Sequence, residues 1–168
     1  MPMLHITARD TGPALHGGAG SLQAALRDGL ARDPGPVTVM LHGYRYLPGH
    51  PLHCPHDAIL SSRPAVAGPK VVSWPRHLGL RGQPGEGLGI GFGWSARGSI
   101  WQAFDQADAA GHQLAEVLDR IRQIDPDRPI RAIGHSMGAR VILCALRHSA
   151  PGTLSHAVLL AAAEFRAT

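Results

Sequence analysis

The chain has 168 residues, of which 44% are hydrophobic and 17% are charged. These proportions favour a single folded domain over residues 1–168 and argue against wholesale disorder. No apolar run approaches the roughly 18 residues that a membrane-spanning helix requires. The N-terminus lacks the basic start and apolar run of a signal peptide. Because Cys54 and Cys144 are the only cysteines, we expect no disulfide framework and predict a cytoplasmic protein.

The formal net charge is +4, but the basic residues are scattered singly and form no run. Aromatic residues make up only 5% of the chain, so few side chains are present on which bases could stack. The sequence therefore predicts no nucleic-acid partner.

Helices and strands alternate along the predicted chain. Ser21 is a suitable cap for the first helix, and Asp125-Pro126 ends the second. In chain order we predict a strand at 4–7, a helix at 22–31, strands at 37–41 and 70–74, a helix from Ile100 to 124, a strand at 130–133, a helix from Met137 to about His148, and a strand at 156–161.

Most predicted strands are continuous apolar runs, which is typical of strands that are buried on both faces of a parallel sheet. The alternation of strand and helix predicts an α/β fold with a mostly parallel sheet and flanking helices. Two long connections, 47–69 and 75–99, do not fit a minimal version of this fold. The second is rich in glycine, and we expect it to be a flexible loop.

Gly134-His135-Ser136-Met137-Gly138 is the strongest chemical signal in the sequence. It has the pattern G-x-S-x-G, with a predicted strand before it and a predicted helix after it. A serine on such a tight turn is held with its hydroxyl above the sheet, and glycines are needed two residues before and after it because those positions are crowded. The pattern predicts that Ser136 is a nucleophile.

His42-Gly43-Tyr44 follows the strand at 37–41, at the sheet edge where open α/β folds place their sites. Gly43 lets the backbone approach the nucleophile closely. We expect the backbone N–H groups of Tyr44 and Met137 to form an oxyanion hole.

These two segments resemble those of the α/β-hydrolase fold family of serine hydrolases, and the resemblance covers Val37 to about Ala163. It implies esterase, lipase or thioesterase chemistry, in which Ser136 attacks the carbonyl carbon of a small-molecule ester or amide and no cofactor takes part. Compared with the family, the sequence is shortened after the strand that follows the nucleophile helix. The strands that usually carry the acid and the histidine are therefore missing.

Glu164 follows the last strand at the expected edge and is the candidate acid. No histidine after Ser136 occupies a suitable place. Several earlier histidines, in loops predicted to leave the same edge of the sheet, are candidate replacement bases: His42, His50, His53, His56 and His77. The alternative is a catalytically silent or truncated hydrolase-like module that works by binding.

Three further expectations follow from the sequence. The cluster from His50 to Asp57 contains metal-binding residue types, but its spacing fits no standard zinc motif, so we predict no metal there. The glycine-rich loop is expected to present Leu88, Ile90, Phe92 and Trp94 beside an acyl pocket. The Val158 strand is expected to form an uncovered apolar sheet edge, which offers a route to self-association.

Overall fold

The computed structural model describes residues 2–65 and 71–164. In these residues, six strands form one sheet and four helices accompany it. The strands are β1 (Met3–Arg9), β2 (Gly12–Leu15), β3 (Val37–Leu41), β4 (Leu88–Gly93), β5 (Ile130–His135) and β6 (His156–Leu160), and the helices are α1 (Leu22–Arg32), α2 (Trp74–His77), α3 (Ile100–Ile124) and α4 (Met137–Arg147).

The strand order in the sheet is β2-β1-β4-β3-β5-β6. Only β2 runs antiparallel, as a hairpin with β1, and the other neighbours are parallel. The predicted α/β class with a mostly parallel sheet is therefore confirmed. Because parallel strands share a direction, the residues that follow β3, β4, β5 and β6 all emerge at one side of the sheet, which we call the carboxyl edge.

The three long helices form where the sequence predicts them. Ser21 accepts a hydrogen bond from the Ala24 amide and caps α1. A reciprocal capping box of Ser99 and Gln102 starts α3, which ends at Asp125. The apolar stripes of these helices join the central strands in one core, so helix position follows from the hydrophobic pattern.

The glycine-rich segment around residue 90 is not a flexible loop, and that expectation is wrong. It forms β4, a buried central strand whose six residues are all shielded from solvent. Alternate residues point to one face and pack in the main core, so Phe92 and the following Trp94 have no exposed surface. They cannot line an open acyl pocket.

The glycines of β4 occupy the opposite face because a neighbouring loop lies almost on the backbone there. A Cβ added at Gly91 would lie 3.1 Å from Leu60 Cβ, and one at Gly93 would lie 2.4 Å from His56 Nε2. The alternation of glycine with large apolar residues is therefore a period of two, which is the period of a strand.

The strand predicted at 70–74 is also wrong over the residues that the structure describes; Lys70 lies outside them. Residues 71–73 are irregular, and Trp74 starts the short helix α2. Ser73 accepts a hydrogen bond from the Arg76 amide and Pro75 follows in the first turn, and both features favour a helix start over a strand.

Strand β6 lies at the end of the sheet, and all five of its residues are exposed. Val158 and Leu160 keep 47% and 42% of their surface in contact with solvent. The expected uncovered apolar edge is therefore present. Among the described residues, no helix is both long and apolar enough to cross a membrane.

The close contact at Gly93 gives a test of the packing between β4 and the loop that covers it. Replacing Gly93 with alanine should lower the free energy of unfolding by about 1–3 kcal/mol, because the His56 ring must move aside in a packed interior. Urea denaturation of the variant measures this change. Gly18→Ala is a matched control, since its added Cβ meets Leu15 at an ordinary 3.5 Å; equal effects in the two variants would contradict the packing account.

Candidate active site

Ser136 occupies the turn between β5 and α4, with φ +54° and ψ −119°. A non-glycine residue rarely adopts a positive φ, so this conformation is strained. It is held by backbone bonds to the end of the sheet: the Ser136 amide donates to the Leu160 carbonyl at 2.8 Å, and its carbonyl accepts from the Ala163 amide at 3.2 Å. The turn therefore depends on the strand that it precedes in the chain.

The two motif glycines are required by contacts of backbone with backbone. A Cβ at Gly134 would lie 2.6 Å from the carbonyl carbon and oxygen of Gly138. A Cβ at Gly138 would lie 2.5 Å from the carbonyl oxygen of His42. These distances are too short for any side chain, so helix α4 can start this close to β5 and β3 only with glycine at both positions.

Gly43 brings the loop after β3 against the serine. A Cβ at this position would lie 3.2 Å from Ser136 Cβ and 3.0 Å from the His135 carbonyl oxygen. Tyr44 follows directly, and Met137 is the first residue of α4. Within residues 2–65 and 71–164, neither the Tyr44 nor the Met137 amide donates to a protein acceptor. The start of α4 adds a partial positive charge beside Ser136, and the role of the two amides as an oxyanion hole stays a prediction.

His42 holds this loop in place through two hydrogen bonds. Its Nδ1–H donates to the Gly43 carbonyl at 2.8 Å, and its Nε2 accepts from the Trp94 amide at 3.1 Å. Complete burial lowers the pKa of His42 to about 4, so the ring is neutral at pH 7. With both nitrogens engaged and the ring shielded from solvent, His42 is a positioning residue here and not the replacement base that the sequence allowed.

Backbone strain collects at the carboxyl edge. Among the described residues, three non-glycine residues have a positive φ: Arg45 after β3, Ser136 after β5 and Ala161 after β6. Strained residues cluster at functional sites because the surrounding structure must hold them in place. This clustering marks the same place that the sequence motif marks.

Glu164 lies after β6, as predicted, but its carboxylate faces a guanidinium. Arg140 Nη1 donates to Glu164 Oε2 at 2.6 Å, and the Arg140 guanidinium also covers the Phe104 ring at 3.4 Å. The described contacts therefore pair this carboxylate with an arginine. Its role as the acid of a triad stays a prediction.

The other candidate bases are spread over different surroundings. His53 shares a groove of about 290 Å³ with Tyr44, Arg45 and Arg97. His50 Nε2 pairs with Arg97 at 3.1 Å. His77 lies in α2 and lines a different cavity with Met3, the first residue of β1, so its predicted place at the carboxyl edge is wrong. Among the described residues, no imidazole bonds to the Ser136 hydroxyl.

The buried His56 belongs to a cluster with the half-buried His5 and His16, which the sequence does not predict. His56 Nε2 and His16 Nδ1 bond to Thr7 Oγ1 at 3.1 and 3.0 Å, and the His5 ring stacks on His56 at 4.9 Å. Burial, reinforced by His16 and His5, lowers the pKa of His56 to about 2, so the ring is neutral. The cluster occupies the space left by the glycine face of β4. The one sequence signal is that His5 and Thr7 share a face of β1.

The strain at Ser136 gives a test that is independent of activity. Ser136→Gly should be more stable than Ser136→Ala by about 1 kcal/mol or more, because glycine adopts φ +54° without a steric penalty and alanine does not. Thermal and urea unfolding of the two variants measure the difference. Ser149 follows the C-cap of α4 and lacks a positive φ, so it serves as the control position. There the alanine variant should be more stable than the glycine variant. If Ser136→Ala is as stable as Ser136→Gly, the turn at Ser136 is not strained.

Comparison with known proteins gives one match. A family model described as "Protein of unknown function (DUF726)" matches residues 98–161, which include α3, β5, α4 and β6. No curated protein and no solved structure matches the chain. The matched part of the chain contains Ser136 and the strand that supports its turn, so this site lies in the segment that is similar to the family.

Proposed function

We propose that this chain is a serine hydrolase that acts by acyl transfer on an ester, thioester or amide. The observation that carries the proposal is the strained Ser136 on a strand-to-helix turn that requires glycine at both Gly134 and Gly138. A turn that costs free energy to maintain is explained if the Ser136 hydroxyl does chemistry. The loop at Gly43, pressed against Ser136, supplies the second half of the site.

The proposed reaction begins with attack of Ser136 Oγ on the carbonyl carbon while the hydroxyl proton passes to a base. The carbonyl π electrons move to oxygen, and the Tyr44 and Met137 amides donate hydrogen bonds to this oxyanion. Collapse expels the alcohol, thiol or amine, which takes the proton from the base and leaves an acyl-serine. Water then attacks the acyl-serine in the same way, releasing the acid and restoring Ser136.

The groove beside Tyr44 supports a preference for small, polar substrates. It is lined by two guanidinium groups, Arg45 and Arg97, together with His53. Guanidinium groups bind carboxylate and phosphate well. We therefore infer that an ester with an acidic group fits this groove better than one with a long apolar chain.

The second candidate function is a hydrolase-like module that binds without catalysis. Two observations favour it: the carboxylate of Glu164 is paired with Arg140, and no described imidazole bonds to Ser136. An unassisted serine hydroxyl is a weak nucleophile. The two candidates differ in one measurable property, the reactivity of Ser136.

A fluorophosphonate probe tests that reactivity in the full chain. An activated serine displaces fluoride from the probe and becomes covalently phosphonylated, so intact-mass measurement should show one added probe per folded molecule. The Ser136→Ala variant should lose this labelling entirely. Competition by a carboxylate-bearing ester, and weaker competition by a long-chain ester, is expected if the groove binds the substrate.

Ser95→Ala is the matched control, because Ser95 directly follows Trp94 at the carboxyl edge and is also half-buried. It should label like the unchanged protein. Folded protein that stays unlabelled, or labelling that survives in Ser136→Ala, would contradict the proposed hydrolase and favour the binding module.

Self-association through β6 remains the predicted partner interaction. The strand presents a free edge and the exposed side chains Val158, Leu159 and Leu160. Sedimentation velocity should show a species that grows with concentration and is suppressed by Val158→Lys, because a charge on an edge strand opposes pairing. Leu52→Lys changes an exposed apolar residue in a loop and serves as the control; concentration-independent sedimentation of the unchanged protein would contradict the prediction.

A further inference from the structure

Two helices bring a thiol and two imidazoles together far from Ser136. His112 lies on α3, Cys144 lies on α4, and His148 is the residue at which α4 ends. One ligand atom from each, a ring nitrogen or the sulfur, lies within 4.8 Å of the other two. These three residues, which we call the helix-crossing triad, lie toward the end of α4 that is opposite to Ser136. Cys144 and His148 follow Ser136 by 8 and 12 residues, about 12 and 18 Å along the helix at 1.5 Å per residue.

The crossing of α3 and α4 produces this arrangement. A Cβ at Gly111 would lie 2.4 Å from Cys144 Cβ, so the absence of a side chain at Gly111 lets the two helices meet at the cysteine. His112 follows Gly111 directly. Cys144 and His148 are four residues apart and therefore lie on one face of their helical turn. The rings of His112 and His148 are already in contact, with centroids 3.8 Å apart.

The residue types select a particular class of ion. Thiolate sulfur and imidazole nitrogen bind Zn²⁺ and similar transition-metal ions, whereas Ca²⁺ and Mg²⁺ prefer oxygen ligands. In a tetrahedral zinc site, bonds of about 2.0 Å to nitrogen and 2.3 Å to sulfur place the ligand atoms roughly 3.3–3.6 Å apart. The triad needs a contraction of about 1 Å, which rotation of the exposed His112 and His148 side chains can supply.

From this geometry we propose that His112, Cys144 and His148 form a binding site for a divalent transition-metal ion of the Zn²⁺ type. Binding replaces the thiol proton of Cys144, which is released to solvent, and both imidazoles bind in their neutral form. The exposed side of the two histidines leaves a fourth position for a water molecule.

The surroundings of the triad fit such an ion. Asp108 lies four residues before His112 on α3 and interacts electrostatically with that imidazole, so a carboxylate is available as its outer-shell partner. The hydrogen bond that the Cys144 thiol donates to Asp108 Oδ1 at 3.2 Å is given up when the thiol loses its proton. Asp108 is held by Arg140 and Arg147, and Arg140 also pairs with Glu164. The two acidic and two basic groups balance in charge, and therefore the neighbouring guanidinium groups do not impose a net positive field on the site.

A bound ion would fasten α3 to α4 at the end opposite to the nucleophile turn. The ligands come from both helices, so the ion binds the folded arrangement and not the separated helices. By mass action, the melting temperature should then rise with the concentration of free Zn²⁺.

The test is Zn²⁺ titration of the full, tag-free chain by calorimetry, with the melting temperature measured in parallel. We expect one Zn²⁺ per chain and a raised melting temperature. Co²⁺ in place of Zn²⁺ should give the thiolate-to-cobalt charge-transfer band that reports a sulfur ligand. Cys144→Ala, His112→Gln and His148→Gln should each weaken binding by at least the roughly 10–100-fold that loss of an outer-shell partner costs.

Cys54→Ala is the matched control, because Cys54 is also buried and its sulfur lies 3.6 Å from His16 Nε2. It should bind Zn²⁺ like the unchanged chain, and so should Ser136→Ala, which separates this site from the proposed hydrolase. The two exposed histidine variants keep the test valid if Cys144→Ala fails to fold. No saturable binding, no charge-transfer band, or His112→Gln and His148→Gln variants that bind Zn²⁺ as tightly as the unchanged chain would overturn the proposal.

Discussion

The candidate site depends on how closely the start of α4 approaches the two central strands. The helix begins against the backbone carbonyl groups at the end of β3, and Gly134 in β5 lies against the backbone of Gly138. No side chain fits between these backbone segments, so glycine is the only residue that permits the approach. Given that approach, Ser136 has to turn sharply, and the positive φ follows from the packing of the backbone around it.

The same approach explains the electrostatics of the edge. The loop after β3 is pressed against the serine by Gly43 and braced by the neutral, fully buried His42. The neutral His42 ring keeps positive charge out of the interior, and the partial positive charge near Ser136 comes from the start of α4. The loop that carries Tyr44 is thus fixed by its own strand, its neighbouring strand and the nucleophile turn together.

The sequence predicts most of the fold because its helices and most of its strands have strong hydrophobic periods and clear caps. It predicts the Ser136 turn because the motif fixes backbone geometry. It fails at β4, where the many glycines predict a flexible loop and the structure has a strand. A glycine face is required there because Leu60 and His56 lie almost on the strand. It also fails at Ser73, where a capping interaction outweighs the strand preference of the preceding valines.

Side-chain partners were harder to predict than elements, because they depend on contacts between distant parts of the chain. Glu164 follows β6, as the sequence predicts, yet its carboxylate faces Arg140, which lies 24 residues earlier in the chain. The histidine cluster is a similar case: His5, His16 and His56 meet only because β1, the β2 hairpin and the loop over β4 converge. No local pattern in the sequence contains that information.

The backbone bonds between Ser136 and the residues around β6 couple the strained turn of the candidate site to the most exposed strand of the sheet. Local opening costs least where few apolar contacts are buried. Each time the end of β6 detaches, the serine loses the acceptor of its amide and the donor to its carbonyl, and the strained turn can relax. The fraction of molecules in which Ser136 keeps its strained turn is therefore set by the opening equilibrium of an edge strand. Any molecule that covers β6 would shift this equilibrium and so change the geometry at Ser136 without touching it.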